Sequence, residues 1–263
     1  MDIPNKDEID SITIWMPPRY DLDKIKFGTD PQTYEKAVAL YENKKVTQFK
    51  KEFKCFSAIV LGTEPYRVHI SDKHYDIGNC ECYLGQNEVL CKHLVAVAIY
   101  AVLGGEELSQ DDKKIIAEPM CTKISGELTE EKLTLTKQTI ASALRYIKAH
   151  YGPSRNWLAY QDSLREGCLR LSQITSDLPV SLQTTKLLID MLLRLDAKLQ
   201  RGGVDDSDGT ISEFIENTVQ ILQEYAEFDS SCLIAFKKLK NKQTCFGWEE
   251  PLVKLIFKPT ESH

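Results

Sequence analysis

No stretch of this 263-residue chain is long and apolar enough to cross a bilayer; the longest unbroken apolar run, Leu94 to Leu103, has ten residues. The opening Met1 to Glu8 is acidic and polar, unlike a secretory signal or a transit peptide, so a cytoplasmic chain with no membrane partner is expected. There is no Gly-x-x-x-x-Gly-Lys-Ser/Thr phosphate loop and no Gly-x-Ser-x-Gly elbow. No internal repeat or low-complexity tract stands out. A general excess of positive charge is missing too. The net charge is −6, and residues 201–250 alone carry −5, so any nucleic-acid surface has to be a local patch.

What remains is a globular composition, 42% hydrophobic and 27% charged, sufficient for a packed core. Residues 1–30, with Pro4, Pro17, Pro18 and Gly28, read as an irregular lead-in. A short helix is expected from Pro31, with Tyr34, Ala37, Val38 and Tyr41 on one stripe. From Val46 to Asn79 the period becomes two. Phe53 to Leu61 reads as a strand and Gly62 to Pro65 as a turn. Tyr66, Val68 and Ile70 then alternate with Arg67, His69 and Ser71, and a third strand is expected at His74 to Ile77. Cys91 to Leu103 reads as a helix stopped by Gly104 and Gly105.

The polar stretch 105–128 is taken as a linker. Beyond it the period is helical: Ile140, Leu144 and Ile147 are followed by Trp157, Leu164, Cys168 and Leu171 from a Ser154 cap. Leu188, Met191, Leu195 and Leu199 come next, then Ile211, Ile215, Leu222 and Tyr225 behind a Thr210–Glu213 capping box. The expected fold class is α+β: an antiparallel β-meander with a helix over 31–104, then an all-α domain of helical hairpins over 129–263.

Eight cysteines are present, and a disulfide framework is not expected in a reducing compartment. Cys55, Cys121, Cys168, Cys232 and Cys245 lie scattered and read as packing residues. The other three crowd together in Cys80-Glu-Cys82-Tyr-Leu-Gly-Gln-Asn-Glu-Val-Leu-Cys91-Lys-His93. Three thiols and one imidazole complete a structural zinc set. On an extended strand, residues two apart point the same way, so Cys80 and Cys82 can share a metal. On a helix they lie about 200° apart, so Cys91 and His93 cannot both sit inside one. Cys91 is therefore placed at the helix cap and His93 in its first turn. There the helix dipole and Lys92 favour the one net negative charge of a three-thiolate zinc centre. All four ligand positions are filled, which argues for a structural ion and not a catalytic one.

This pattern of Cys-x-Cys, eight residues, then Cys-x-His resembles the SWIM-type zinc finger, and the likeness extends over about residues 35–103. The helical half looks similar to that of small stand-alone bacterial and archaeal members. The resemblance implies one Zn²⁺ on Cys80, Cys82, Cys91 and His93, in a ββα module that binds DNA or protein partners. The activities of larger relatives do not transfer, because no helicase, transposase or kinase domain is present.

Weaker signals stand beside it. Lys44, Lys45, Lys50, Lys51 and Lys54 form a basic run interleaved with Phe49 and Phe53, and Lys92 lies beside the metal motif. Such residues suit DNA or RNA binding, but a solvated strand with its phenylalanines in the core accounts for the run about as well. His69 reads as a solvent-facing strand residue, and His74 as a spare that could replace a failing ligand, although four are already present. The acidic 205–208 loop fails the EF-hand register, which would need ligands at Val204 and Ile215. Trp157 and Trp248 read as core anchors. The expectation is thus a non-catalytic, zinc-binding protein acting on nucleic acid, a protein partner, or both, with no small-molecule substrate. A protein–protein adaptor working through the acidic helical half is the alternative. An enzyme using the 205–208 loop with a divalent ion ranks last.

Overall fold

The computed structural model describes residues 17–151 and 157–257. The expected Ser154 cap and the first part of the lead-in lie outside them. The contacts divide the chain into two compact units, 1–114 and 115–263. None of the described helices is long and apolar enough to cross a membrane.

The first unit contains α1 (Leu22–Gly28), α2 (Pro31–Glu42), a four-stranded antiparallel sheet, α3 (Tyr83–Gln86) and α4 (Lys92–Leu103). The strands β1 (Val46–Glu52), β2 (Cys55–Leu61), β3 (Pro65–Ser71) and β4 (Gly78–Cys80) lie in chain order. The lead-in is less irregular than expected, since Asp21 caps α1 through the Lys24 N–H and Ile25 and Phe27 are buried. Asp30 caps α2 in the same way, with Pro31 in the first turn.

Two strand boundaries also differ. The run expected as one strand from Phe53 begins two residues later, because Phe53 and Lys54 form the β1–β2 turn with Lys54 at φ 61°. The third expected strand, His74 to Ile77, is the turn leading into β4. Within β1 a bulge at Gln48 (φ 50°) takes up one extra residue between the Thr47–Ile59 and Lys50–Ser57 pairs.

Alternation then decides what each face holds. Phe56, Ala58, Val60, Val68 and Ile70 are buried under α4, while Arg67 and His69 are exposed. Helix α4 is apolar on nearly every side because it lies between the sheet and α2. It ends at Gly104, whose left-handed φ of 63° suits a glycine.

The second unit is helical, with α5 (Glu130–Ala143), α6 (Trp157–Ser176), α7 (Leu182–Gln200), α8 (Thr210–Phe228), α9 (Leu233–Phe236) and α10 (Glu249–Phe257). Ile140, Leu164, Leu188, Leu195, Leu222 and Phe236 are among its buried core. The N-terminus of α8 is capped differently from the expected box. Gly209, at φ 79°, holds the cap position, and the Asp206 carboxylate accepts the N–H groups of Ile211 (2.7 Å) and Ser212 (2.9 Å).

The stretch 105–128 is not a free linker. Its first part belongs to the first unit, where the hydroxyls of Tyr34 and Tyr41 donate to the carbonyls of Asp112 (2.7 Å) and Glu106 (2.5 Å). Its second part belongs to the helical unit, where Ser125 bridges to Val180 and the Leu128 N–H donates to Gln183.

Candidate metal centre

Cys80 is the last residue of β4, and Cys82 caps the single turn α3 that follows. Cys91 is the N-cap of α4, and His93 sits in the first turn. Strand end and helix start are thereby brought together from opposite ends of the ten-residue stretch from Cys82 to Cys91. The ligand atoms of Cys80, Cys82, Cys91 and His93 all lie within 4.8 Å of one another, and all four residues are buried.

The imidazole is oriented toward the thiols through Nδ1, which lies 3.7 Å from the Cys80 sulfur and 3.9 Å from that of Cys91. A tetrahedral zinc ion with ordinary Zn–S and Zn–N lengths sets its ligands about 3.5–3.8 Å apart; the 3.7 Å separation falls in that range and the 3.9 Å one just beyond it, so a small inward shift of the four side chains would close them on an ion. Without an ion, three buried sulfurs and an imidazole would also be a costly set to desolvate. The four residues therefore suit one structural Zn²⁺, with no ligand position left for a substrate.

Electrostatics prepare the thiols unequally. The Cys80 thiol hydrogen-bonds to the Cys91 sulfur and draws the Cys91 pKa well down, with His93 and the Leu94 N–H adding to this against the effect of burial. The same contact, together with burial, pushes Cys80 up. The Cys82 sulfur accepts the Gly85 N–H at 3.4 Å.

Two glycines outside the ligand set support this geometry. A β-carbon on Gly85 would lie 2.4 Å from the Cys80 carbonyl oxygen, and one on Gly78 would lie 2.2 Å from that of His69. Both obstacles are backbone, which cannot step aside. A glycine three residues after Cys82 is the one sequence cue for Gly85, and no comparable local cue marks Gly78.

The expected nucleic-acid residues are only partly gathered. Phe49 is half-buried, stacked on Phe56 (5.7 Å) and packed near Tyr100 (4.7 Å). Phe53 is 87% exposed at the β1–β2 turn, with the Lys54 ammonium 4.8 Å from its ring centroid. Lys50 is exposed near that turn, and Lys44 and Lys45 are exposed before the other end of β1. Lys51 and Lys92 are half-buried.

His69 and His74 are exposed and not members of the cluster, and Trp248 is buried. The carboxylates of the 205–208 loop are engaged as helix and turn caps. Asp205 accepts from the Trp157 indole (2.9 Å), which holds its carboxyl below the usual range, and Asp208 accepts from the Thr210 N–H.

Residues 66–101 match the SWIM zinc finger family, a span that contains all four ligands, β4, α3 and most of β3 and α4. No curated protein and no solved structure matches the chain.

Proposed function

Starting from a SWIM zinc finger over residues 66–101, we propose that this chain is a non-catalytic binding protein whose zinc-held module takes nucleic acid at the β1–β2 turn. One observation carries the reading: Phe53 stands 87% exposed beside Lys54, with Lys50 exposed nearby. An exposed aromatic ring is a platform on which a base can stack, and the ammonium groups neutralise the adjoining phosphates. Leaving a phenylalanine in water costs free energy that a purely structural turn would not need to bear. The zinc ion's part is architectural, since it fixes the sheet from which this hairpin projects.

The test is binding of a fluorescent single-stranded oligonucleotide to the zinc-loaded full chain across a salt series. Retention at low salt that weakens as salt rises is expected. Phe53→Ala should cost roughly tenfold in affinity, and Lys50→Glu with Lys54→Glu should flatten the salt dependence. No retention at low salt would remove the reading.

A second reading, a protein-binding adaptor, draws support from the helical unit. There Phe228 (49% exposed), Ile234 (51%) and Phe246 (66%) face solvent in the acid-rich 201–250 stretch. Under it, serine at these three positions would abolish capture of a partner, while Phe53→Ala would leave capture unchanged.

A further inference from the structure

A histidine bound to a metal through one ring nitrogen ordinarily donates the N–H of the other to a carboxylate, a carbonyl or water, which fixes the ring. In this site Nδ1 is the nitrogen turned to the sulfurs. Nε2 is buried and has no hydrogen-bond partner among the described residues. Something else must hold the ring in place.

Two residues of the β2–β3 region surround it. The Tyr66 ring lies 4.7 Å from the imidazole, centroid to centroid, tilted by 34°. Tyr66 is on the same face of β3 as the buried Val68 and Ile70, so the strand register brings it to the start of α4. Its hydroxyl lies at the exposed end of the ring, 3.3 Å from that of Thr63, away from the face that covers His93. The other residue is Gly62. A β-carbon there would lie 3.1 Å from His93 Nε2 and 2.9 Å from Tyr66 Cε2. Gly62 is not among the residues with left-handed backbone, so the turn's conformation does not demand a glycine. The space beside the two rings does.

We infer that Gly62 and Tyr66 are positioning residues for the metal: by shape instead of by a hydrogen bond, they hold His93 in the orientation that presents Nδ1. Tyr66 covers the face of the ring, and the missing side chain of Gly62 leaves room at its Nε2 edge. A methyl group at position 62 would push Tyr66 off the imidazole and press on the ring, turning Nδ1 away from the sulfurs. The aim of the fourth ligand is thus set from outside the Cys80–His93 motif, by a turn that precedes it in sequence.

The direct measurement is long-range proton–nitrogen NMR on the zinc-loaded full chain with ¹⁵N-labelled histidine. The inference expects the shift of a metal-bound nitrogen at His93 Nδ1 and of a protonated one at Nε2. Zinc affinity, read by competition with a chromophoric chelator, should fall about tenfold in Tyr66→Ala, the loss typical of removing a ligand's support. Tyr66→Phe, which keeps the ring, should hold zinc as wild type does. Gly62→Ala should weaken binding as well, but by less when Tyr66 is already alanine, because the two act through one contact. Metallation through Nε2, or wild-type affinity in both Tyr66→Ala and Gly62→Ala, would overturn the inference. Should Tyr66→Ala fail to fold, the nitrogen assignment in the wild-type protein and the Gly62→Ala affinity still decide it.

Discussion

Gly85 shows how little freedom a single residue has beside the metal. Its N–H supports the Cys82 sulfur, and its α-carbon lies so close to the Cys80 backbone that a methyl group would overlap a carbonyl by about an ångström. Gly85→Ala should therefore cost on the order of 3 kcal/mol, read by chemical denaturation, and zinc should be lost to a weaker chelator than the wild type requires. The thiols make a second residue-level prediction. Cys80 is pushed up, so at neutral pH without a cation it carries its proton, whereas a ligated sulfur must be a thiolate. Loading with zinc should release that proton, and affinity should rise with pH. Calorimetry in buffers of different ionisation enthalpy would detect this, and a buffer-independent heat would contradict it. At this scale the ligands are legible in the sequence because they lie within one short stretch, and three thiols beside an imidazole seldom gather so closely except around a metal. Tyr66 and Gly62 are not, since only the packing of α4 against β3 carries them to His93.

Among the secondary-structure elements, β1 holds the least obvious arrangement. Losing one residue from a strand normally sends every later side chain to the opposite face. The bulge at Gln48 already accommodates one surplus residue, so deleting Gln48 leaves Phe49 inward and Lys50 outward. That deletion should fold and retain zinc, whereas deleting Ile59 from β2, which has no bulge, should abolish both; zinc content and the dispersion of amide NMR signals would show it. In the helical unit, Asp206→Ala removes the acceptor for two N–H groups of α8 and should cost about 1 kcal/mol in thermal or chemical unfolding, with zinc binding untouched. Helices α4, α6, α7 and α8 are readable from the sequence because a stripe of apolar residues at helical spacing means burial in any context. The strand boundaries are harder. Phe53 and Phe49 look identical in a period-two pattern, and only the left-handed residues Gln48 and Lys54 separate a half-buried, stacked ring from an exposed one. The α8 cap departs from its sequence pattern because Asp206 reaches it from outside the expected box.

For the molecule as a whole, the α+β reading follows from patterns that are local on both sides of residue 104: alternation and a ligand cluster before it, helical stripes after it. The metal belongs to one unit only. Chelation should therefore loosen the sheet module and leave the cooperative unfolding of the helical unit where it was; circular dichroism would retain most of its helical signal while the NMR peaks of Val46–Leu103 collapse. Loss of the whole signal at once would mean that the two units fold as one. The division of residues 105–128 bears on how the gene can be cut. A fragment stopped after Leu103 discards Glu106, Asp111 and Asp112, whose carbonyls accept from Tyr41, Lys26 and Tyr34. Truncation there strips the acceptors from three donors on α1 and α2, and the product should aggregate, while one stopped after Lys114 should stay monodisperse.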